Sequence, residues 1–150
     1  MLVYQEDMTL NMRPEEIRDI TNLLMGVVIR SDMDDGRLYA SIIDSAGSVT
    51  TIKNDEETLA DFRAALERMA PRDAGYAHDK ANDDGNGRAH VLAALIGPDV
   101  SLPVNNGQLR LGKSQQVVVI NHDVSPRARI LVVSLVGSCR DLAHARHCKV

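Results

Sequence analysis

The chain has no tryptophan, one phenylalanine and three tyrosines among 150 residues. That scarcity argues against a protein that reads single strands by stacking bases on aromatic platforms, and it requires an aliphatic core. A basic excess is also missing. The formal net charge is −4, which gives no electrostatic grip on phosphate backbones or anionic membranes, so neither nucleic acid nor membrane is an expected partner. The longest apolar runs, such as Val117 to Ile120 and Ile130 to Val133, fall far short of the eighteen or so residues a membrane span needs. Cysteine is confined to Cys139 and Cys148, where a disulfide would staple only the tail. The first residues, with Gln5, Glu6, Asp7, Asn11 and Arg13, lack the basic start and apolar stretch of a signal peptide, so the cytoplasm is the expected compartment. No Walker loop, nucleophile elbow, Rossmann glycine fingerprint or Ser/His/Asp arrangement is visible.

What is present suits one soluble domain over residues 1–150, with 138–150 as a flexible tail: 44% hydrophobic and 25% charged residues. Rough alternation predicts a first strand over Leu2 to Leu10. Pro14 opens a predicted helix with Glu15 and Glu16 in its first turn and Ile17, Ile20, Thr21, Leu24, Val27 and Val28 on one face. Leu38 to Ile43 and Ser48 to Ile52 read as successive strands of one sheet. Asp55 to Met69 is the clearest helix, stopped by Pro71. A loop from Arg72 to Asn86 follows, then a third helix over Gly87 to Ile96 with Asn86 as N-cap. The remainder reads as strands over Val100 to Val104, Leu109 to Leu111, Gln116 to Asn121 and Ala128 to Leu135, with a hairpin turn at Asn105-Asn106-Gly107. Interspersed elements without βαβ alternation predict an α+β fold with a mainly antiparallel sheet and about three helices.

Chemistry is expected around the polar loop. Asp83-Asp84-Gly85-Asn86-Gly87-Arg88 sets carboxylates, glycines and an arginine at a helix start, where free amides attract anions and magnesium could join aspartate to a substrate phosphate. The alternative is a solvated turn with an ordinary cap. An EF-hand is excluded, since Gly85 at loop position six would leave Val91 where a Glu is required. His78 and His90 bracket the loop and could share a transition metal with Asp79 and Asp84, or exchange protons; surface histidines are the alternative. Cys139, His144, His147 and Cys148 have zinc-ligand chemistry in a cramped tail.

Several segments together resemble the YjbQ-like family, also called secondary thiamine-phosphate synthases: Asp19-Ile20-Thr21, Asp35-Gly36, Tyr76-Ala77-His78-Asp79, Ala89-His90, Gly107 to Gln115, and His122 followed by Arg127 and Arg129. The resemblance implies an α+β subunit with a β-sandwich or barrel-like sheet, a homotrimer, and a histidine-rich pocket near subunit boundaries. It implies the coupling of a hydroxymethylpyrimidine diphosphate with a thiazole phosphate, releasing pyrophosphate, with magnesium or a zinc-like ion as cofactor. On this reading His78, His90 and His122 are catalytic, His78, Asp79, Asp84 and His90 hold metal, and Gly85, Gly87, Arg88, Lys113 and Gln115 bind the phosphorylated substrate.

The departures are specific. The family's His-Thr-Thr or His-Thr-Ser step is Asp44-Ser45-Ala46 here, its Asn-Glu pair is Lys53-Asn54, its Gly-Thr-Trp-Gln is Gly112-Lys113-Ser114-Gln115, and its Glu-His is Asn121-His122. Lost imidazole and carboxylate weaken a metal site, and Lys53 could set a positive charge in its place. Activity is therefore expected to be weak or lost, and a non-catalytic trimer binding a phosphate ligand or a metal is the second reading.

Overall fold

Alternating apolar positions near the two ends of the chain bring its first and last strands together. In the computed structural model, which describes residues 1–140, β1 (Leu2–Met12) and β8 (Arg127–Cys139) pair antiparallel along all of β1, from Leu2 opposite Gly137 to Met12 opposite Arg127. The other face-forming strands are β2 (Ile17–Asp19), β3 (Met33–Ile42), β4 (Gly47–Lys53), β5 (Asp99–Asn105), β6 (Gln108–Leu109) and β7 (Gln115–Asn121). Two sheets result, one in the order β1-β8-β3-β5-β6 and one in the order β2-β7-β4, and every pairing is antiparallel. The helices are α1 (Thr21–Ser31), α2 (Glu56–Met69), α3 (Ala77–Asn82) and α4 (Gly87–Ile96). The architecture is thus α+β, with curled antiparallel sheet.

The main core lies between the two sheets and α1: Leu24, Val27, Leu38, Val117, Val119, Leu131, Val133 and Leu135 are all essentially buried in one cluster. A smaller cluster of Leu66, Ala70 and Leu92, with Phe62 and Tyr76 at its margin, joins α2 to α4, and α4 packs on β4. Because side chains alternate faces, Val117 and Val119 meet the main core while Val118 and Ile120 turn the other way, and all four are buried. Strand β7 is therefore covered on both sides within one chain.

Four sequence expectations are corrected here. The helix expected from Pro14 begins at Thr21, because Ile17–Asp19 pairs with Val118–Ile120 of β7. Asp19 Oδ1 then accepts from Thr21 N at 2.8 Å, and Thr21 Oγ1 accepts from Val117 N at 2.9 Å, which ties the helix start to the strand. Strands β3 and β4 do not share a sheet. Both edges of β3 are occupied, by β8 and β5, so the chain crosses to the second sheet and pairs with β7. The loop after α2 contains the short helix α3, making four helices among the described residues rather than three. Ser138 and Cys139 belong to β8 and not to a tail. The expected hairpin is present, with Val104 opposite Leu109 and with Asn106 and Gly107 at φ 50° and 69°, the paired left-handed conformation that such a turn requires.

Gly36 and Gly137 face each other across β3 and β8. A Cβ on Gly137 would collide with the Asp35 carbonyl oxygen, and one on Gly36 with that of Val136. Backbone cannot yield as a flexible side chain does. Gly137→Ala is expected to lower stability by about 1–3 kcal/mol, read as a lower urea midpoint at unchanged slope. An unchanged midpoint would refute the packing account.

Candidate functional site

The site is organised by the short segment that carries the chain from β3 to β4. Asp44 Oδ1 accepts from Ala46 N at 2.6 Å, closing a tight turn that leaves the Ser45 and Ala46 carbonyls available to other elements. His90, on the first turn of α4, has its Nδ1 2.9 Å from the Ser45 carbonyl oxygen. A carbonyl only accepts, so Nδ1 carries the proton and the lone pair of the neutral ring lies on Nε2. This is the arrangement found in metal-binding histidines, where a backbone acceptor fixes the tautomer and aims the free nitrogen.

His78, on α3, lies beside His90 with ring centroids 4.6 Å apart and planes inclined by 57°. Its Nδ1 is 3.2 Å from Asp84 Oδ1 and 3.7 Å from Asp79 Oδ1. Ligand atoms of His78, Asp79 and Asp84 all lie within 4.8 Å of one another. Tetrahedral ligands at 2.0–2.1 Å from an ion would themselves be about 3.3 Å apart, so the His78–Asp84 spacing fits a shared cation. An open cleft of about 490 Å³, bordered by Asp44, Ser45, His78, His90 and Pro98, gives access.

Two of the groups expected to bind an anion have partners within the chain. Gly87 N, the amide thought free for phosphate, donates to Asp79 Oδ1 at 2.7 Å, so the helix start is capped by the chain's own carboxylate and not by Asn86. Glycine is needed there because a Cβ would lie 2.8 Å from Tyr76 Cβ and 2.9 Å from that oxygen. Arg88 is equally committed. Its Nε donates to the Ala70 carbonyl at 2.7 Å, one terminal nitrogen to Glu67 at 3.1 Å and the other to Glu15 at 3.5 Å. Arg72 joins the same two carboxylates at 2.7 and 3.4 Å, balancing two guanidiniums against two glutamates. Gly85, at φ 67°, has open space around it but serves as a turn.

Lys113 and Gln115 lie at the far end of β7 from His122, roughly 20 Å along the strand. Gln115 is held there by Thr51 and by the Gly112 amide. Lys53, opposite Gln115, pairs with Asp55 at 2.5 Å, so it cannot place a charge in the His78 cleft as the sequence suggested. Of the cysteine and histidine cluster, Cys139 ends β8, while His144, His147 and Cys148 lie outside the described residues.

His122 stands apart from the other two histidines. It is 5% exposed, its N donates to the Ala46 carbonyl at 3.0 Å and its Nε2 is 2.9 Å from Ser48 Oγ. Burial first, then the nearby Arg88 and Arg129 guanidiniums, lower its pKa from 6.5 to about 4, so the ring is neutral at pH 7. Sequence reasoning missed Arg129, which is 3% exposed. It reaches Asp44 at 2.5 Å and Asn121 Oδ1 at 2.7 Å, while its Nε has no partner among the described residues. Its parity with the buried Leu131, Val133 and Leu135 was the available signal. Asp44 is thus drawn to Arg129.

These features define a small antiparallel α+β protein with a histidine and carboxylate cleft beside a strand crossover. Residues 6–138 match the sequence model of the UPF0047 protein YjbQ-like family, and the chain belongs to that family. A UPF0047 protein of Methanothermobacter thermautotrophicus is 33% identical over 138 residues, covering 91% of this chain and 94% of that one. UPF0047 protein YjbQ of Salmonella typhimurium is 27% identical, covering 89% and 98%. Among crystal structures, a YbjQ-like protein of unknown function from Sulfolobus solfataricus superposes with TM-score 0.85 at 21% identity, over 91% of this chain and 98% of that one. A YjbQ/UPF0047 family protein of Clostridium acetobutylicum gives 0.79 at 26% identity, over 87% and 99%.

The buried His122 sets a pH dependence. Unfolded chain binds its proton below about pH 6.5, whereas the folded ring resists until about pH 4. Stability from this group is complete above the higher value and falls by about 3 kcal/mol as pH drops from 6.5 to 4. Urea midpoints across that range are expected to decline in wild type and much less in His122→Gln; parallel profiles would contradict the assignment.

Proposed function

We propose that the protein binds a divalent metal ion at His78, Asp84 and His90, with Asp79 bracing the cluster against the start of α4. The observation that carries this reading is the convergence of His78, Asp79 and Asp84 ligand atoms within 4.8 Å of one another, with the His90 ring 4.6 Å from that of His78 and its Nε2 left as a lone pair by the Nδ1 contact with the Ser45 carbonyl. Mixed imidazole and carboxylate ligands suit a zinc-like ion, and the open cleft leaves room for a further ligand. Such an ion supplies Lewis acidity. With Gly87 and Arg88 already engaged by Asp79, Glu15 and Glu67, a phosphorylated small molecule would be held through the cation itself. Thermal unfolding with zinc or manganese chloride at about 100 times Kd should gain about 2.7 kcal/mol in wild type and lose that gain in His78→Ala. Absence of any shift in wild type rejects the reading.

Coupling of a hydroxymethylpyrimidine diphosphate with a thiazole phosphate is inferred to be weak or lost in this chain. Asp44, the substituted histidine position, is bound to Arg129, and the amides and guanidinium that would steady a departing pyrophosphate serve internal carboxylates. Loss of a positioned acid or base typically lowers rate by 10²- to 10⁴-fold. Incubating both halves with magnesium should yield little thiamine phosphate; robust turnover abolished by His78→Ala would restore the synthase reading.

A homotrimer is proposed as the assembly. Support comes from the outer face of the five-stranded sheet, where Val3, Tyr39, Ile130 and Val136 are 39–65% exposed on paired rows. Light scattering at micromolar concentration should give about three times the 16.4 kDa chain mass, and a monomer mass would refute the assembly.

A further inference from the structure

Asn86 occupies the N-cap position of α4 yet makes no capping hydrogen bond with its side chain. The cap is supplied from α3 by Asp79. An asparagine freed from the usual task of its position needs another partner, and its carboxamide is turned toward the histidine and carboxylate cluster. With the amide nitrogen facing inward, it donates to His90 Nε2 at 3.2 Å and to the two oxygens of Asp84 at 2.9 and 3.1 Å. The reverse orientation would set the amide oxygen against the lone pairs of both groups. The two amide protons suffice: one goes to the imidazole nitrogen, and the other is shared by the carboxylate. This orientation agrees with the His90 tautomer fixed independently by Ser45, since only an unprotonated Nε2 can accept.

We propose that the Asn86 carboxamide is a resident occupant of the cation position, bridging Asp84 and His90 in the metal-free protein and swinging out when a divalent ion binds. The inference rests on the metal-binding reading above and adds its regulation. An N–H donor and a cation satisfy the same lone pairs, so the two compete for them. The amide neutralises none of the Asp84 charge, so an ion displaces it; the displacement lowers the apparent affinity of the site. Asn86 is also near enough to the cluster that a carboxylate in its place would become a ligand.

The test is calorimetric titration of zinc chloride into metal-stripped wild type, Asn86→Ala and Asn86→Asp, with thermal unfolding of each in chelator. Asn86→Ala is expected to bind zinc about three- to tenfold more tightly than wild type, the worth of hydrogen bonds no longer displaced. Its melting temperature in chelator should be lower, because the cluster loses its bridge. Asn86→Asp should bind more tightly still, with its metal-free form destabilised by two adjacent carboxylates. A second readout is independent of affinity: the Asn86 side-chain amide proton resonances of wild type should shift on adding zinc, while the His90 Nδ1 proton persists. Weaker zinc binding by Asn86→Ala, or Asn86 amide resonances unmoved by bound zinc, would overturn the proposal and leave the metal site standing. Absence of zinc binding in all three proteins would reject the metal site and this role with it.

Discussion

The burial of β7 on both faces is the constraint on which the rest depends. A strand with Val117 and Val119 facing one way and Val118 and Ile120 the other requires a sheet and helix α1 on one side and the α2–α4 pair on the other. Three layers then follow from one short run of β-branched residues. The end of that strand, Asn121 and His122, is carried into the interior with its polar groups, which must find partners there. Asn121 serves Arg13, Ser125 and Arg129, and His122 serves Ala46 and Ser48. The crossover segment between β3 and β4 is held from both sides by these contacts and by His90, so the candidate cleft is a by-product of how the middle sheet ends.

Charge in the site is directed inward. Arg88 and Arg72 with Glu15 and Glu67, Arg129 with Asp44, and Asp79 with the α4 amide form closed sets, several of them joining distant parts of the chain. Such sets hold α2, α4 and the loop before β2 in register, at the expense of free donors for an external anion. His78 and His90 line the cleft and Asp84 lies beside His78, a set of imidazole and carboxylate groups with the chemistry of cation ligands rather than of a phosphate cradle.

The sequence made legible those elements whose signals are local. Helix α2 was visible from Asp55, whose side chain caps Thr58, and from Leu59, Phe62 and Leu66; the hairpin was visible in Asn106-Gly107. Strand β2 was hidden because Ile17, Ile20 and Leu24 fit helical spacing equally well, and only pairing with β7 decides the matter. The sheet membership of β4 was hidden because it depends on both edges of β3 being taken. At the site, the proximity of His78 and His90 could be read from their places around one loop. The engagement of Arg88 could not, since Glu15 and Glu67 reach it across long stretches of chain.

Strand β1 forms one margin of the larger sheet, and its side turned away from β8 presents a long ladder of backbone groups without a neighbour in that sheet. A margin of this length invites an identical margin to zip against it, and antiparallel apposition about its middle would bring Glu6 and Asp7 of one molecule opposite those of another. Like carboxylates at the centre of the seam penalise that contact. Glu6 is further turned to Arg30 and Tyr4 of its own chain, leaving a charged interruption rather than an adhesive stripe. The same two residues that look unremarkable in an alternating strand thus disfavour pairing of this margin with a second copy of itself.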